Sequence, residues 1–541
     1  MLPDSSSSTN KVTDYDTATA FLGQWGRFQQ KIFFLTSLCV IPNGFLTVAF
    51  VFLAATPAHR CLLPAHLNLS AAWRNSSVPL EEEDGGAGPV PSRCSRYKLD
   101  YLLNYSDRGL LPGLDVNLSD VPTEGCLDGW EYDRSDYSST IVTEWNMVCD
   151  DSWKKPLTSS FFYFGVLIGS FLSGQISDRY GRKRALFIAI ALQAITAFIL
   201  VFSPNWTTFC ILYLIVGLEQ ISIYVVAFVL GTELLARRTR AIFSTAGTCI
   251  FFAVGYMILP LFAFYIRDWR MFFFSITMPG SLRMILWWFI PESPRWLLSQ
   301  GRIEEAKAII TNAAKMNNVE PPAVIFSHLQ VRAYCVSVTK FKLNTLTIGY
   351  FALSLNTGNL SGNAYFNCFL SAAVEIPAYV LSWALFRWCS RRLSVSSSLL
   401  TGGAFLLLTQ LVPAHLFSLS TTFEMTGKFA VSTSFAVVYA YTAELYPTVL
   451  RNTAVGSCSM AARIGSIIAP YFVYLSKQIK ATSLILLTCV SKCLLSVCCC
   501  FTCSAASQNE DKSEDRRAYN ICDLFRFPNI RWISITLWLI W

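Results

Sequence analysis

Charge is scarce in this chain: Asp, Glu, Lys and Arg make up only 14% of its 541 residues, and it has four histidines. Soluble domains carry about 25% charged residues, so this supply excludes an ordinary soluble globular protein. No nucleophile–base arrangement can be assembled from the motifs present, and no enzyme is expected. Among the eighteen cysteines no C-x-x-C pair with metal spacing stands out, so no metal site is expected. Most lie in apolar runs, Cys498 to Cys500 among them, where a thiol behaves as a small hydrophobe. A cleavable signal is also missing, so residues 1–27 read as a polar cytoplasmic N-terminus.

Hydrophobic residues are what remain, at 53% of the chain with a mean hydropathy of +0.42, and they fall in runs long enough to cross a bilayer. An all-α membrane protein follows. The net charge of +8 lies in short turns between those runs and not on one basic face, so the partner is lipid and not nucleic acid.

The turn from Gly174 to Arg184 organises the rest. It reads Gly174-Gln175-Ile176-Ser177-Asp178-Arg179-Tyr180-Gly181-Arg182-Lys183-Arg184, between two runs nearly free of charge. Its four cations cannot enter lipid, which places this end on the cytoplasmic side. Asp178 has arginine neighbours, and together with Gly174, Arg179, Gly181 and Arg182 it forms a candidate latch that breaks when two helix bundles rock apart. The pattern G-x-x-x-D-R-x-G-R-[KR] resembles the signature of the major facilitator superfamily of secondary transporters. Pro291-Glu292-Ser293-Pro294-Arg295-Trp296-Leu297 resembles a second signature, from its sugar and organic-ion branches. The resemblance implies a major facilitator fold of two six-helix bundles with the substrate site at their interface, in a chain expected to be monomeric. Arg387, Arg391 and Arg392 form a degraded echo of the turn in the second half.

In order, the chain divides into a first span at 28–56, a loop at 57–156, spans 2–6 at 157–290, a cytoplasmic linker at 291–345, an incomplete C-terminal bundle at 346–502 and a tail at 503–541. Pro42-Asn43-Gly44 puts a helix breaker and an amide at mid-membrane, either a helix-to-helix hydrogen bond or a cavity lining. Parity places the long loop outside the cell. Four sequons, at Asn68, Asn75, Asn104 and Asn117, agree with that side. So does the even set Cys61, Cys94, Cys126 and Cys149, which suggests two disulfides with three pairings open. In the fourth span Glu219, Gln220, Ser222 and Tyr224 make a polar patch expected to face a cavity.

The seventh span breaks the pattern. Ser327 to Asn344 is unpatterned, and the apolar run Leu346 to Leu355 reaches about 15 Å, half of a hydrocarbon core of about 30 Å. Half a membrane span ends the chain instead, at Ile533 to Trp541. The two halves would join into one helix, which reads as an exon displaced by a gene-model or splicing error, or as an isoform with a damaged C-terminal half.

Several runs resemble the organic cation/carnitine (OCTN) transporters: Phe21 to Gly26 (FLGQWG), Cys126 to Trp130 (CLDGW), Ile141 to Asn146 (IVTEWN) and Tyr441 to Thr448 (YTAELYPT). The match runs from Tyr15 to Phe326 and from Gly349 to Leu475. Past Ser476 the twelfth span does not match. The resemblance implies uptake of zwitterions such as carnitine or ergothioneine at the plasma membrane, coupled to sodium. Arg463, alone in the eleventh span, is the candidate carboxylate clamp, since its planar fork suits an acid; a structural ion pair with Glu444 or Glu375 is the other reading. Tyr224, Tyr439, Tyr441, Phe369 and Phe435 are candidate cage walls for a quaternary nitrogen, and Gln220 completes the substrate set. The residue before Tyr224 is Ile223, where relatives tend to have an amide. Glu444, Asn43 and Gln220 are candidate oxygen donors to the sodium ion. A phosphate-loop-like string, Gly231 to Arg238, lacks its second glycine and its lysine, so no ATP chemistry is expected. Two further readings stand beside the sodium-coupled carrier: a sodium-independent organic-cation uniporter and a non-transporting isoform.

Overall fold

The computed structural model describes residues 15–64, 67, 69–82, 89–322, 350–351, 353–357, 362–413, 416–445, 463–471 and 473–474. The chain separates into two units, Met1–Val490 and Ser491–Trp541, and every described residue belongs to the first. The unpatterned run before the seventh span, the twelfth span and the tail lie outside the described residues.

Backbone amides in lipid must find partners within their own segment, so long apolar runs become helices. Six described helices are long and apolar enough to cross a membrane: Arg27–Leu53, Cys149–Tyr180, Arg182–Val201, Trp206–Leu234, Thr248–Tyr265 and Ala364–Leu385. The sixth segment is split into a helix at Trp269–Ser281 and a tighter 3-10 stretch at Leu282–Trp288. Further helices run over Arg391–Leu411 and Phe417–Leu445. Of the shortened seventh span, residues 350–351 and 353–356 are helical, and Tyr350 and Phe351 are buried.

Without a hydrophobic drive between helices in lipid, close contact depends on small residues. A Cβ at Gly165 would lie 1.9 Å from the Leu214 carbonyl oxygen, and one at Gly217 would lie 2.2 Å from that of Phe162. The second and fourth spans therefore touch backbone to backbone. The first and fifth do the same through Gly44 and Gly255.

The first span is broken at its centre. Pro42 has no N–H, and the Asn43 N–H turns to the Val40 carbonyl (3.0 Å), so the carbonyl of Cys39 is left without its helical donor.

The long loop folds around Trp73, Tyr97, Leu102 and Val121. Three short antiparallel pairs join His59–Cys61 to Trp130–Tyr132, Leu80–Glu82 to Pro89–Pro91, and Ser95–Tyr97 to Thr123–Gly125. The open pairing resolves as Cys61–Cys126 and Cys94–Cys149. Beneath them Arg96, 1% exposed, reaches Glu124 at 2.9 Å, Asp128 at 2.5 Å and the Leu62 carbonyl at 2.7 Å. The loop is fastened to the turn between the fifth and sixth segments, where Trp269 and Arg270 both donate to Glu144.

Candidate functional site

The polar residues inside the helices form two groups. The first joins the fifth, seventh, eighth and tenth segments. Lys428 and Glu375 stand 3.2 Å apart with side chains 2% and 0% exposed. Tyr350 and Tyr379 donate their hydroxyl protons to Glu375 at 2.8 and 3.2 Å. Lys428 also donates to Ser371, whose hydroxyl is 3.1 Å from that of Tyr256, and the ammonium sits 4.7 Å from the Tyr256 ring centre. Four helices thus meet around one buried ion pair, and the hydroxyl groups of Tyr350, Tyr379 and Ser371 add to the mutual compensation of its charges.

An aromatic line leads from this group toward Arg463. Phe435 stacks on Tyr350 at 5.4 Å, Tyr350 meets Phe351 at 5.3 Å, and Phe351 meets Tyr163 of the second span at 5.0 Å. Arg463 is half-buried, one turn from Ile467, whose carbonyl accepts from Ser160 at 2.9 Å, one turn from Tyr163. Its Nε is enclosed, and among the described residues it meets neither a hydrogen-bond acceptor nor an ion-pair partner. Of the two alternative partners, Glu375 is already taken by Lys428. The side chains of Tyr439, Tyr441 and Glu444 lie outside the described residues.

The second group lies within the N-terminal bundle. Gln220 donates to the Asn43 carbonyl at 2.9 Å and to the Thr47 hydroxyl at 2.6 Å, and Asn43 donates back to the Gln220 carbonyl at 3.4 Å. Glu219 accepts from Thr196 at 2.9 Å. These residues are 1–9% exposed, except the half-buried Thr47. The patch expected to face a cavity is instead an interhelical seam, because its amides satisfy backbone groups of the broken first span. Against it sits Arg283, 4% exposed, on the sixth segment.

Two of the aromatic candidates lie in described helices outside the Lys428 group's hydrogen bonds. Phe369 is 41% exposed, whereas Cys368 and Ser371 on the same helix are fully buried; residues two apart lie on opposite sides of a helix, so Phe369 points away from Lys428. Tyr224 is half-buried and stacks on Phe228 at 6.5 Å.

At the Gly174–Arg184 turn, Asp178 pairs with Arg182 at 2.7 Å, and Arg182 with Glu233 at 3.2 Å. Glu292 accepts from the Lys183 N–H at 3.0 Å, and Trp296 donates to the Asp178 carbonyl at 2.8 Å. The two signature motifs therefore dock on each other. Arg179 lies over the neighbouring Tyr180 ring at 5.7 Å. Asp178 thus pairs with a neighbouring arginine of its own turn, and the described bonds of the turn all lie within the N-terminal half. Gly181 has φ +99° and a Cβ there would lie 2.6 Å from Glu292, whereas a Cβ at Gly174 would meet nothing within 4 Å.

Asn75, Asn104 and Asn117 are exposed, and Asn68 lies outside the described residues.

Lys428, Glu375's partner, and Arg283 were the residues that sequence reasoning missed. Each is a lone cation within an apolar run, the signal that singled out Arg463.

Residues 130–369 match the family model described as "Sugar (and other) transporter". Organic cation/carnitine transporter 2 of Homo sapiens is 54% identical over 485 residues, covering 86% of this chain and 87% of its own length. Solute carrier family 22 member 4 of Mus musculus is 53% identical over 485 residues with the same coverage. The E. coli xylose transporter in a partially occluded inward-open conformation superposes with a TM-score of 0.53 at 13% identity, covering 86% of this chain and 98% of that one; at that identity it bears on the fold alone. Helix architecture, signature motifs and relatives agree: the chain belongs to the organic cation/carnitine transporters of the major facilitator superfamily, and it is a transporter and not an enzyme.

Proposed function

We propose that this chain carries zwitterions such as carnitine or ergothioneine, or related organic cations, across the plasma membrane by alternating access. The observation behind it is Arg463: a guanidinium inside a membrane helix costs about 3 kcal/mol on insertion scales, and here no fixed carboxylate among the described residues neutralises it. A substrate carboxylate would. The aromatic line from Tyr163 through Phe351 to Tyr350 offers faces to a quaternary nitrogen, which has no proton to donate. Relatives named for organic cations and carnitine support the same solute class. In this reading the N-terminus is cytoplasmic, the disulfide-bonded loop faces outward with glycans on its exposed sequons, and the monomer is the working unit.

Uptake of labelled carnitine, ergothioneine and tetraethylammonium by cells expressing the full chain tests it. A charge-assisted hydrogen bond contributes about 1.5–3 kcal/mol, so Arg463→Gln should raise the apparent KM for carnitine roughly tenfold to a hundredfold while sparing tetraethylammonium. Equal loss for both solutes would remove the carboxylate clamp. Absence of any uptake by a correctly localised chain would leave the non-transporting reading.

A further inference from the structure

Arg283 occupies the position in which the oxygen donors of the N-terminal bundle converge. Its Nε donates to the Gly280 carbonyl at 2.7 Å, Nη1 to the Cys39 carbonyl at 2.8 Å and to Asn43 Oδ1 at 3.4 Å, and Nη2 to Gln193 Oε1 at 2.7 Å. All four acceptors are neutral. Among the described residues no carboxylate pairs with it. The Cys39 carbonyl is available because Pro42 breaks the first span, and Gly280 ends the helical part of the sixth at the change to the 3-10 stretch. Backbone carbonyls released at broken membrane helices, joined by side-chain amide oxygens, are the ligand set by which transporters hold a dehydrated sodium ion. Asn43 and Gln220 are the donors expected for that ion, and in this chain Asn43 Oδ1 is turned to a guanidinium.

We propose that Arg283 is a tethered cation standing in this oxygen cage in place of a coupling sodium ion, so that the chain transports without sodium. The proposal rests on the carrier reading above and specifies its energetics. A second cation within about 4 Å of the guanidinium would lose roughly a thousandfold in affinity to like-charge repulsion at an effective dielectric of about 20. Arg283 also fills the space: a Cβ at Gly280 would lie 3.0 Å from its Nη2. Gln220 Oε1, on the amide that donates to the Asn43 carbonyl, is buried and accepts no hydrogen bond among the described residues. Removing the guanidinium would expose Asn43 Oδ1, Gln193 Oε1 and the Cys39 carbonyl alongside it, and recreate an ion site.

The test uses the full chain in two measurements. In cells, carnitine or tetraethylammonium uptake is compared in sodium chloride and in N-methyl-glucamine chloride, whose ammonium is not quaternary. In detergent, the thermal unfolding of the purified protein is followed in the same two salts. The natural chain should show no sodium dependence in either. Arg283→Ala, or Arg283→Met if the alanine variant does not reach the surface, should acquire sodium stimulation of uptake of roughly fivefold or more and a higher unfolding temperature in sodium chloride. Sodium-dependent uptake or sodium stabilisation of the natural chain would overturn the proposal, and so would variants that ignore sodium in both measurements. Uptake failing in every salt would strike at the carrier reading, while the unfolding measurement would still report on the cage.

Discussion

Lys428 and Glu375 face each other at 3.2 Å in a region where neither side chain has more than 2% of its surface exposed. Removing one member of such a pair strands the other charge in a low-dielectric interior, which costs about 3–5 kcal/mol, whereas replacing both is far milder. Lys428→Met should therefore sharply lower thermal stability and surface abundance. The double variant Lys428→Met with Glu375→Gln should recover most of both, as read by fluorescence-detected melting and surface labelling.

The two turn glycines should separate in a mutational test. Gly181→Ala puts a side chain at φ +99° and 2.6 Å from Glu292, a backbone strain of roughly 1–3 kcal/mol that would loosen the contact between the two signature motifs. Gly174→Ala meets open space and should leave uptake near its natural level. Initial uptake rates normalised to surface protein distinguish them.

In the long loop, Cys61–Cys126 and Cys94–Cys149 close separations of 65 and 55 residues, which chain entropy values at about 4 kcal/mol each. Cys94→Ser should trap much of the protein in an immature form, seen as a shift in its glycan processing on gels. Arg96→Leu should do the same, because Glu124 and Asp128 would lose the buried guanidinium between them.

His59, in the loop strand beside the Cys94–Cys149 disulfide, has a pH dependence of defined sign. Burial holds its imidazole below the ordinary 6.5; the nearby Pro57 carbonyl opposes this and the charge of Arg93 adds to it. The folded loop therefore prefers the neutral ring, and the unfolded chain binds the proton more readily. The contribution to stability is present above pH 6.5 and lost as pH falls through the lowered value. Limited proteolysis of the loop should be faster at about pH 5.5 than at about pH 7.5, and His59→Phe, which keeps a ring against Tyr132, should flatten the difference.

Much of this molecule is legible in its sequence. Apolar runs and turn charges locate the helices because lipid admits few alternatives, and the even cysteine set in the loop yields two disulfides. Residue roles within the bundles were harder to read. Gln220 looks like a cavity residue until the fold brings it to the Asn43 carbonyl and the Thr47 hydroxyl, and of the two readings of Asn43 the helix-to-helix hydrogen bond is the one seen, a three-dimensional effect that periodicity does not encode. Phe369 fits a cage by composition, and helical phase turns it from the side that carries Ser371. Glu375 is offered as a partner for Arg463 only while Lys428, 53 positions further along the chain, goes unnoticed.

The location of Arg283 also has a consequence for biosynthesis. Its oxygens come from the first and third spans as well as its own, so the segment containing it is poorly suited to entering the bilayer unaccompanied. It must wait near the insertion machinery until those earlier neighbours are in place. Lesions far away at Cys39, Asn43 or Gln193 should therefore surface first as failed assembly in the cell, before any defect in solute movement can be measured.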